Sequence, residues 1–186
     1  ISISDKLLQL SLADAGRMPL DAEPINLSDW VAELVADAAS YAPQLNTTWE
    51  GDKLVIWHAD RNLAWQLLTN LFSNAVKYNQ VDGWIHFKLG SAEGCIVLEI
   101  SNPSDADLQG LEEKLFERFY RLESHHNRKT GGSGLGLSLC RTVVEQHGAR
   151  LQHRALASGG TEFYFSLALA PQDPAHSPAV PALPQS

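Results

Sequence analysis

Apolar residues recur at helical spacing in four stretches of the chain and alternate with polar residues in several others. In residues 1 to 15, Ile3, Leu7, Leu8, Leu10 and Leu12 stand among polar positions, a spacing that predicts the end of an amphipathic helix stopped by Gly16 and Pro19. So short a helix cannot bury its apolar stripe alone, so sequence upstream of Ile1 is expected to continue it. Ser28 is the expected N-cap of a second helix, with Trp30, Val31, Leu34, Val35 and Ala38 on one face and Pro43 at its end. Asp60 caps a third helix, through Leu63, Leu67, Leu68, Leu71 and Ala75. A fourth is expected from about Leu135 to His147. Between them, Thr47 to Trp49, Leu54 to Trp57, Trp84 to Leu89, Cys95 to Ile100, Arg150 to Leu156 and Glu162 to Leu169 read as strands, with Gly90 to Gly94 turning one hairpin. Mixed helices and strands without strict alternation predict an α+β fold, a two-layer α/β sandwich in which helices cover one face of a mostly antiparallel sheet.

Composition narrows this only slightly. The chain has 186 residues, 44% hydrophobic and 19% charged, within the range of one globular domain with tails. Fourteen basic against 22 acidic residues give a net charge of -8, which repels a nucleic acid backbone and excludes that partner class. A nucleotide is not excluded, because local donors and a metal ion outweigh a field screened over roughly 8 to 10 Å. Cys95 and Cys140 lie far apart in apolar runs and read as buried free thiols. No apolar run approaches the ~20 residues that span a bilayer. Residues 171 to 186 are Pro, Ala and Ser without periodicity, which predicts a disordered tail.

Chemistry concentrates in two segments. Within the third helix, Asn70, Asn74, Lys77 and Tyr78 fall at i, i+4, i+7 and i+8, so two amides, an amine and a phenol form one stripe. Alone, such a stripe reads as a solvated helix face. Facing a phosphorylated ligand, an amide oxygen suits Mg²⁺, which takes its remaining oxygens from water and phosphate. The second segment, Gly131-Gly132-Ser133-Gly134-Leu135-Gly136-Leu137, ends a polar loop and opens the fourth helix, where free N–H groups and the helix dipole attract anions. Glycines there let a phosphate approach the backbone.

Together these segments resemble the N box and second glycine box of the sensor histidine kinases of two-component systems, members of the ATPase superfamily that includes DNA gyrase and MutL. Leu115-Phe116-Glu117-Arg118-Phe119-Tyr120-Arg121 is similar to that family's F box, and Gly160-Thr161-Glu162-Phe163 to its closing strand. Order and spacing agree from about Ile25 to Leu169, and Leu7 to Gly16 resembles the end of the preceding dimerisation helix. The resemblance implies a Bergerat-type ATP-binding fold in residues 25–170, preceded in 1–20 by the end of the dimerisation and phosphoacceptor helix with its linker, and followed by the tail. It also implies ATP as substrate and Mg²⁺ held by Asn74. Asn70 and Lys77 would contact the phosphates, Lys77 and Asn74 being the catalytic pair, and Tyr78 would pack near adenine or ribose. Gly132, Ser133, Gly134 and Gly136 would shape the phosphate loop, with Leu135 and Leu137 anchoring it to the core. Arg121 and Thr161 would face the nucleotide, and residues 104 to 133 would form a mobile lid hinged at Phe119. Phe119 and Tyr120 read equally well as plain core residues.

One motif departs from the family pattern. The position of its adenine-reading aspartate falls on Asn102, in Ile100-Ser101-Asn102-Pro103-Ser104-Asp105, and the spaced glycines are absent. An amide oxygen still accepts a hydrogen bond, without charge assistance, and a carboxylate in its place is expected to tighten binding. As sequence, the segment is also simply a turn.

The implied reaction moves the γ-phosphoryl of ATP to a histidine on an upstream domain, for onward transfer to a response regulator. None of the seven histidines lies in the first 57 residues, so the acceptor is expected upstream. The whole protein is expected to be a membrane-anchored homodimer of the inner membrane, this part lying in the cytoplasm and monomeric by itself. The alternative is a catalytically weak nucleotide-binding or protein-interaction module. A hydrolytic ATPase of the gyrase or MutL type would need a glutamate just before Asn74, and Asn70 to Ser73 contain no acid. His125-His126 reads as a solvated pair, and Asp60 as a cap only.

Overall fold

The computed structural model describes residues 2–92, 95–105, 108–121, 132–157 and 159–168. His125, His126, Gly131 and the tail from 171 onward, all singled out above, lie outside the described residues. Alternation is the clearest signal to become structure. In β4 (Trp84–Ala92) and β5 (Cys95–Asn102), Ile85, Phe87, Leu89, Ile96, Leu98 and Ile100 are buried, while His86, Lys88, Val97 and Glu99 between them are not. Period-2 patterning of this kind puts one sheet face against a core and leaves the other polar. With β2 (Asn46–Gly51), β6 (Arg150–Ala155) and β7 (Thr161–Ala168), these strands form a five-stranded sheet in the order β2-β4-β5-β7-β6. All its pairs are antiparallel except β2 with β4. On the polar face the Arg154 guanidinium bridges Glu162 across the β6–β7 ladder and reaches Glu99 at 3.4 Å.

The covering layer is helical. α2 (Leu27–Tyr41) buries Val31, Leu34 and Ala38, α3 (Arg61–Lys77) buries Leu63, Leu67, Leu68, Leu71 and Ala75, and α4 (Gly136–Gln146) buries Leu139, Val143 and Val144. Asp60 caps α3 as expected, accepting from the amides of Asn62 at 3.0 Å and Leu63 at 3.1 Å. The cap of α2 is Asn26 rather than Ser28. Ser28 is buried, and its hydroxyl instead ties the chain between helix and sheet, donating to the Asp52 carbonyl at 2.8 Å and accepting from the Val55 amide at 3.1 Å.

Two elements differ from the expected arrangement. Leu54 to Trp57 does not join the main sheet. The strand there, β3 (Ile56–Asp60), pairs antiparallel with β1 (Ala22–Asn26), a strand whose sequence shows little alternation and contains Pro24. A small two-stranded sheet is therefore separate from the large one. β2 is longer than expected and is an edge strand of the main sheet, parallel to β4.

α1 (Ile3–Asp14) lies against α4 and buries only Leu10, while Ile3, Leu7 and Leu8 remain exposed. Cys95 and Cys140 are free thiols; Cys140 is buried, which pushes its pKa up to about 12, whereas Cys95 is partly exposed. No described helix is long and apolar enough to cross a membrane.

Candidate functional site

The polar stripe on α3 and the glycine-rich turn face each other. Asn70, Asn74, Lys77 and, at the C-cap of α3, Tyr78 are all partly exposed, Asn70 and Asn74 lying two turns beyond the buried Leu63 and Leu67 on the same row of the helix. A β-carbon on Gly132 would stand 2.7 Å from Lys77 Nζ, and one on Gly136 would stand 3.9 Å from Asn70 Oδ1. The loop thus lies directly against the stripe. The Asn70 side-chain nitrogen is buried without a hydrogen-bond partner, an unsatisfied donor beside this loop.

The loop is held from both ends. Leu135 is fully buried and Leu137 packs against the core. Gly134 has φ +69° and its carbonyl accepts from the Phe119 amide at 2.9 Å. Phe119 also has positive φ, +65°, and the residue is 60% exposed, so it is not a core residue. Tyr120, its neighbour, packs against the core. α4 begins at Gly136 with Leu135 at the cap position, and no side chain caps it apart from the Ser133 hydroxyl, which accepts from the Leu135 amide at 3.3 Å. The first amides of the helix point out of its end and carry the positive pole of the helix dipole.

Between stripe and loop lies a polar cavity with an empty volume of about 670 Å³, partly open to solvent. Asn70, Ser73, Asn74, Lys77, Tyr78, Arg121, Gly132, Ser133, Gly134, Gly136 and Leu137 line it, together with Lys6 from α1. Among the described residues that line it, three are cationic and none is acidic, on a chain whose net charge is -8. A second cavity of about 500 Å³ adjoins it and shares Asn74, Tyr78, Leu115, Tyr120, Arg121 and Leu137. Its own walls are Asn102, Ser104, Leu108, Thr161 and Phe163. Phe119 and Leu135 line neither cavity; the other expected site residues line one or both. A cationic chamber continuous with a more apolar one suits a ligand with a charged chain at one end and a flat ring at the other.

Strand register builds the inner end of the apolar chamber. Asn102 closes β5 directly opposite Thr161, the first residue of β7. Asn102 is 2% exposed, and its amide nitrogen donates to the Pro103 carbonyl at 2.9 Å, which leaves the side-chain oxygen as the acceptor. Gly160 makes room for this turn, since a β-carbon there would stand 2.4 Å from the Asn102 carbonyl oxygen. The Thr161 hydroxyl is held by His153 Nε2 at 2.5 Å. Burial lowers the His153 pKa below the ordinary value and nearby Glu112 opposes this, so the ring is held towards its neutral form.

These contacts reverse one expectation about Asn102. An aspartate there would set a carboxylate oxygen, in place of the amide N–H, against the Pro103 carbonyl at a buried position. Asn102→Asp is therefore expected to weaken adenosine nucleotide binding several-fold and to lower the melting temperature, because it loses a hydrogen bond and buries a charge. Calorimetric titration and thermal melting check this; tighter binding would show that the turn re-forms around the new group.

Sequence reasoning missed Lys6, Ser73 and His153 as cavity residues or their support, and gave Ser104, Leu108 and Leu115 only as part of the lid and Phe163 only as part of the closing strand. Of the three missed, His153 alone carried a signal, lying two residues from Leu151 on an inward-facing position of its strand. Among the described residues no group of three or more His, Cys, Asp or Glu could hold a metal ion. The donor that remains is the Asn74 amide, which borders both cavities and fits Mg²⁺ only in the company of phosphate and water oxygens.

Residues 59–171 match the family model described as histidine kinase-, DNA gyrase B- and HSP90-like ATPase. The chain is 31% identical over 170 residues to the signal transduction histidine-protein kinase BaeS of Escherichia coli (strain K12), an alignment covering 89% of this chain and 36% of BaeS. The chain thus spans about a third of that relative's length. The catalytic domain of histidine kinase ThkA superposes with a TM-score of 0.70 at 24% identity, over 80% of this chain and 95% of that domain. Full-length ShkA in complex with AMPPNP superposes with a TM-score of 0.74 at 20% identity, over 89% of this chain and 34% of ShkA. The fold, the facing stripe and loop, and these likenesses agree: the chain belongs to the histidine kinase-, DNA gyrase B- and HSP90-like ATPase family and is homologous to the catalytic domains of sensor histidine kinases.

Proposed function

We propose that this chain binds Mg-ATP in the joined cavities and transfers the γ-phosphoryl to a histidine nitrogen on an upstream dimerisation and phosphoacceptor domain, for onward transfer to a response regulator. The observation that carries this reading is the meeting of the α3 stripe with the glycine turn around a cavity whose described lining holds Lys77, Arg121 and Lys6. In this reading adenine occupies the chamber of Asn102, Thr161 and Phe163, with the Asn102 oxygen accepting from its amino group. The phosphates lie between Asn70, Lys77 and the amides of the Gly132 to Leu137 turn. Mg²⁺, held by Asn74, would neutralise charge shared between phosphate oxygens.

Phosphoryl transfer through a loose transition state requires positioning and charge neutralisation above all. Lys77, Arg121 and the N-terminal amides of α4 would meet charge on the transferring oxygens as the bond from phosphorus to the leaving ADP oxygen breaks and the bond to the imidazole nitrogen forms. A neutral imidazole is already nucleophilic, so no base is required of this chain. Glu145 fits this, being engaged with Arg141 at 2.9 Å. By the same resemblance we assign residues 1–20 to the end of the acceptor-bearing helix and its linker, residues 25–170 to the catalytic unit and residues 171–186 to a tail. We further propose that the whole protein is a membrane-anchored homodimer with this part on the cytoplasmic side.

Calorimetric titration tests the reading. Saturable binding of Mg-ATP is expected within about 1 μM to 1 mM, together with phosphorylation of a separately supplied acceptor domain. Absence of ATP binding well beyond that range would assign the chain instead to a protein-interaction role. Binding without transfer would mark a nucleotide sensor.

A further inference from the structure

Lys6 belongs to α1, outside the ATPase fold in sequence, yet it forms part of the wall of the polar cavity beside Lys77, Arg121 and the glycine turn. Its position is set by contacts along α1. Leu10, one turn further on, is 1% exposed. The Gln66 side-chain nitrogen of α3 donates to Gln9 Oε1 at 3.2 Å. Near the other end of α1, Arg118 Nη2 donates to both carboxylate oxygens of Asp14, at 2.7 and 2.8 Å. Arg118 directly precedes Phe119, whose amide is bonded to Gly134, so α1 is linked to the glycine turn as well as to α3. Lys6 is only partly exposed, and none of the ion pairs among the described residues involves it. On a chain with an excess of acids, a half-buried lysine in the wall of a cationic cavity, with no carboxylate partner among the described residues, has an anion as its natural complement.

We propose that Lys6 is a phosphate-binding residue of the nucleotide site, so that a nucleotide with its full phosphate chain fastens α1 onto α3 and α4. The inference rests on reading the cavity as that site. It adds a coupling. Occupancy of the cavity and docking of α1 favour each other by the same factor, because a ligand that contacts Lys6 binds the docked arrangement more tightly than the undocked one. Among the described residues, α1 is held otherwise by packing against α4 that buries only Leu10, by one amide pair and by one solvent-exposed ion pair, a docking weak enough for such a bond to matter.

The test uses the whole chain and three probes: Mg-ATP, adenosine, and amide hydrogen exchange of residues 3–14. Lys6→Gln is expected to weaken Mg-ATP about tenfold and to leave adenosine unchanged, with Lys6→Arg retaining most of the affinity. Exchange across α1 is expected to slow when Mg-ATP is added to the unaltered chain and not when it is added to Lys6→Gln. Equal Mg-ATP affinity for Lys6→Gln and the unaltered chain overturns the proposal while leaving the nucleotide site intact. Equal losses for Mg-ATP and adenosine assign Lys6 a packing role and also overturn it. An unaltered chain that binds neither probe rejects the nucleotide reading itself, and the proposal with it.

Discussion

Asn74→Ala is expected to weaken Mg-ATP binding by at least about 100-fold while the protein stays folded. Losing a group from the outer shell of a metal site already costs about 10- to 100-fold, and Asn74 is proposed to touch the metal itself. The side chain is partly exposed, borders both cavities and fills no core volume, since the buried residues around it on α3 are Leu71, Phe72 and Ala75. Alanine also has the highest helix propensity, so α3 is not weakened. The bond from the Tyr78 amide to the Asn74 carbonyl, at 2.9 Å, belongs to the backbone and survives the change. Calorimetry with and without a chelator separates the roles of this residue. If Asn74 holds the metal, the altered and unaltered chains bind ATP alike once Mg²⁺ is removed and differ widely when it is present. Unchanged affinity in Mg²⁺ would refute the assignment.

Gly134→Ala is expected to damage the site through the backbone. At φ +69° an alanine carries a penalty of about 1 to 2 kcal/mol from its own conformation. Its β-carbon would also stand 2.6, 2.7 and 2.9 Å from the carbonyl carbon, Cα and oxygen of Phe119, all backbone atoms that cannot swing aside. The bond between the Phe119 amide and the Gly134 carbonyl must then lengthen, and the turn moves relative to Lys77 and Asn74. Mg-ATP affinity is expected to fall more than tenfold. The melting temperature should drop by several degrees, at about 2 to 4 °C per kcal/mol for a chain of this size. Gly159→Ala is the control. Its φ is +83°, but nothing lies within 4 Å of the added carbon, so it incurs conformational strain without collision. Should Gly134→Ala behave no worse than Gly159→Ala, the contact with Phe119 has no part in shaping the site.

Much of the helical and hairpin structure was legible because each of those elements buries a face of its own. The apolar stripe of α3 and the alternation of β4 and β5 meet a core directly beneath them, so their periods appear undiluted in the chain. β1 and β2 were hard to read for the opposite reason. Ala22 to Asn26 buries only Ile25, and Asn46 to Gly51 has no fully buried residue. Both are held by ladders to partners elsewhere, β3 and β4, and a backbone ladder leaves almost no mark on side-chain pattern. Gly51 shows how close that second ladder runs, since a β-carbon there would stand 1.6 Å from the Leu89 carbonyl oxygen.

By itself the sequence determined which groups could act and on which face of their own element they stand: the amides and amine of α3, the glycines before α4, the acceptor at position 102. Helical spacing and turn chemistry are local, so no partner is needed to read them. Only the tertiary structure decided that positions 70 to 78 confront positions 132 to 136 across one cavity, that Phe119 turns outward, that His153 stands behind Thr161, and that Lys6 arrives from another helix. The reason is physical. Where two distant segments meet depends on how the whole core packs between them, and that sum of many small contacts has no signature in either segment alone.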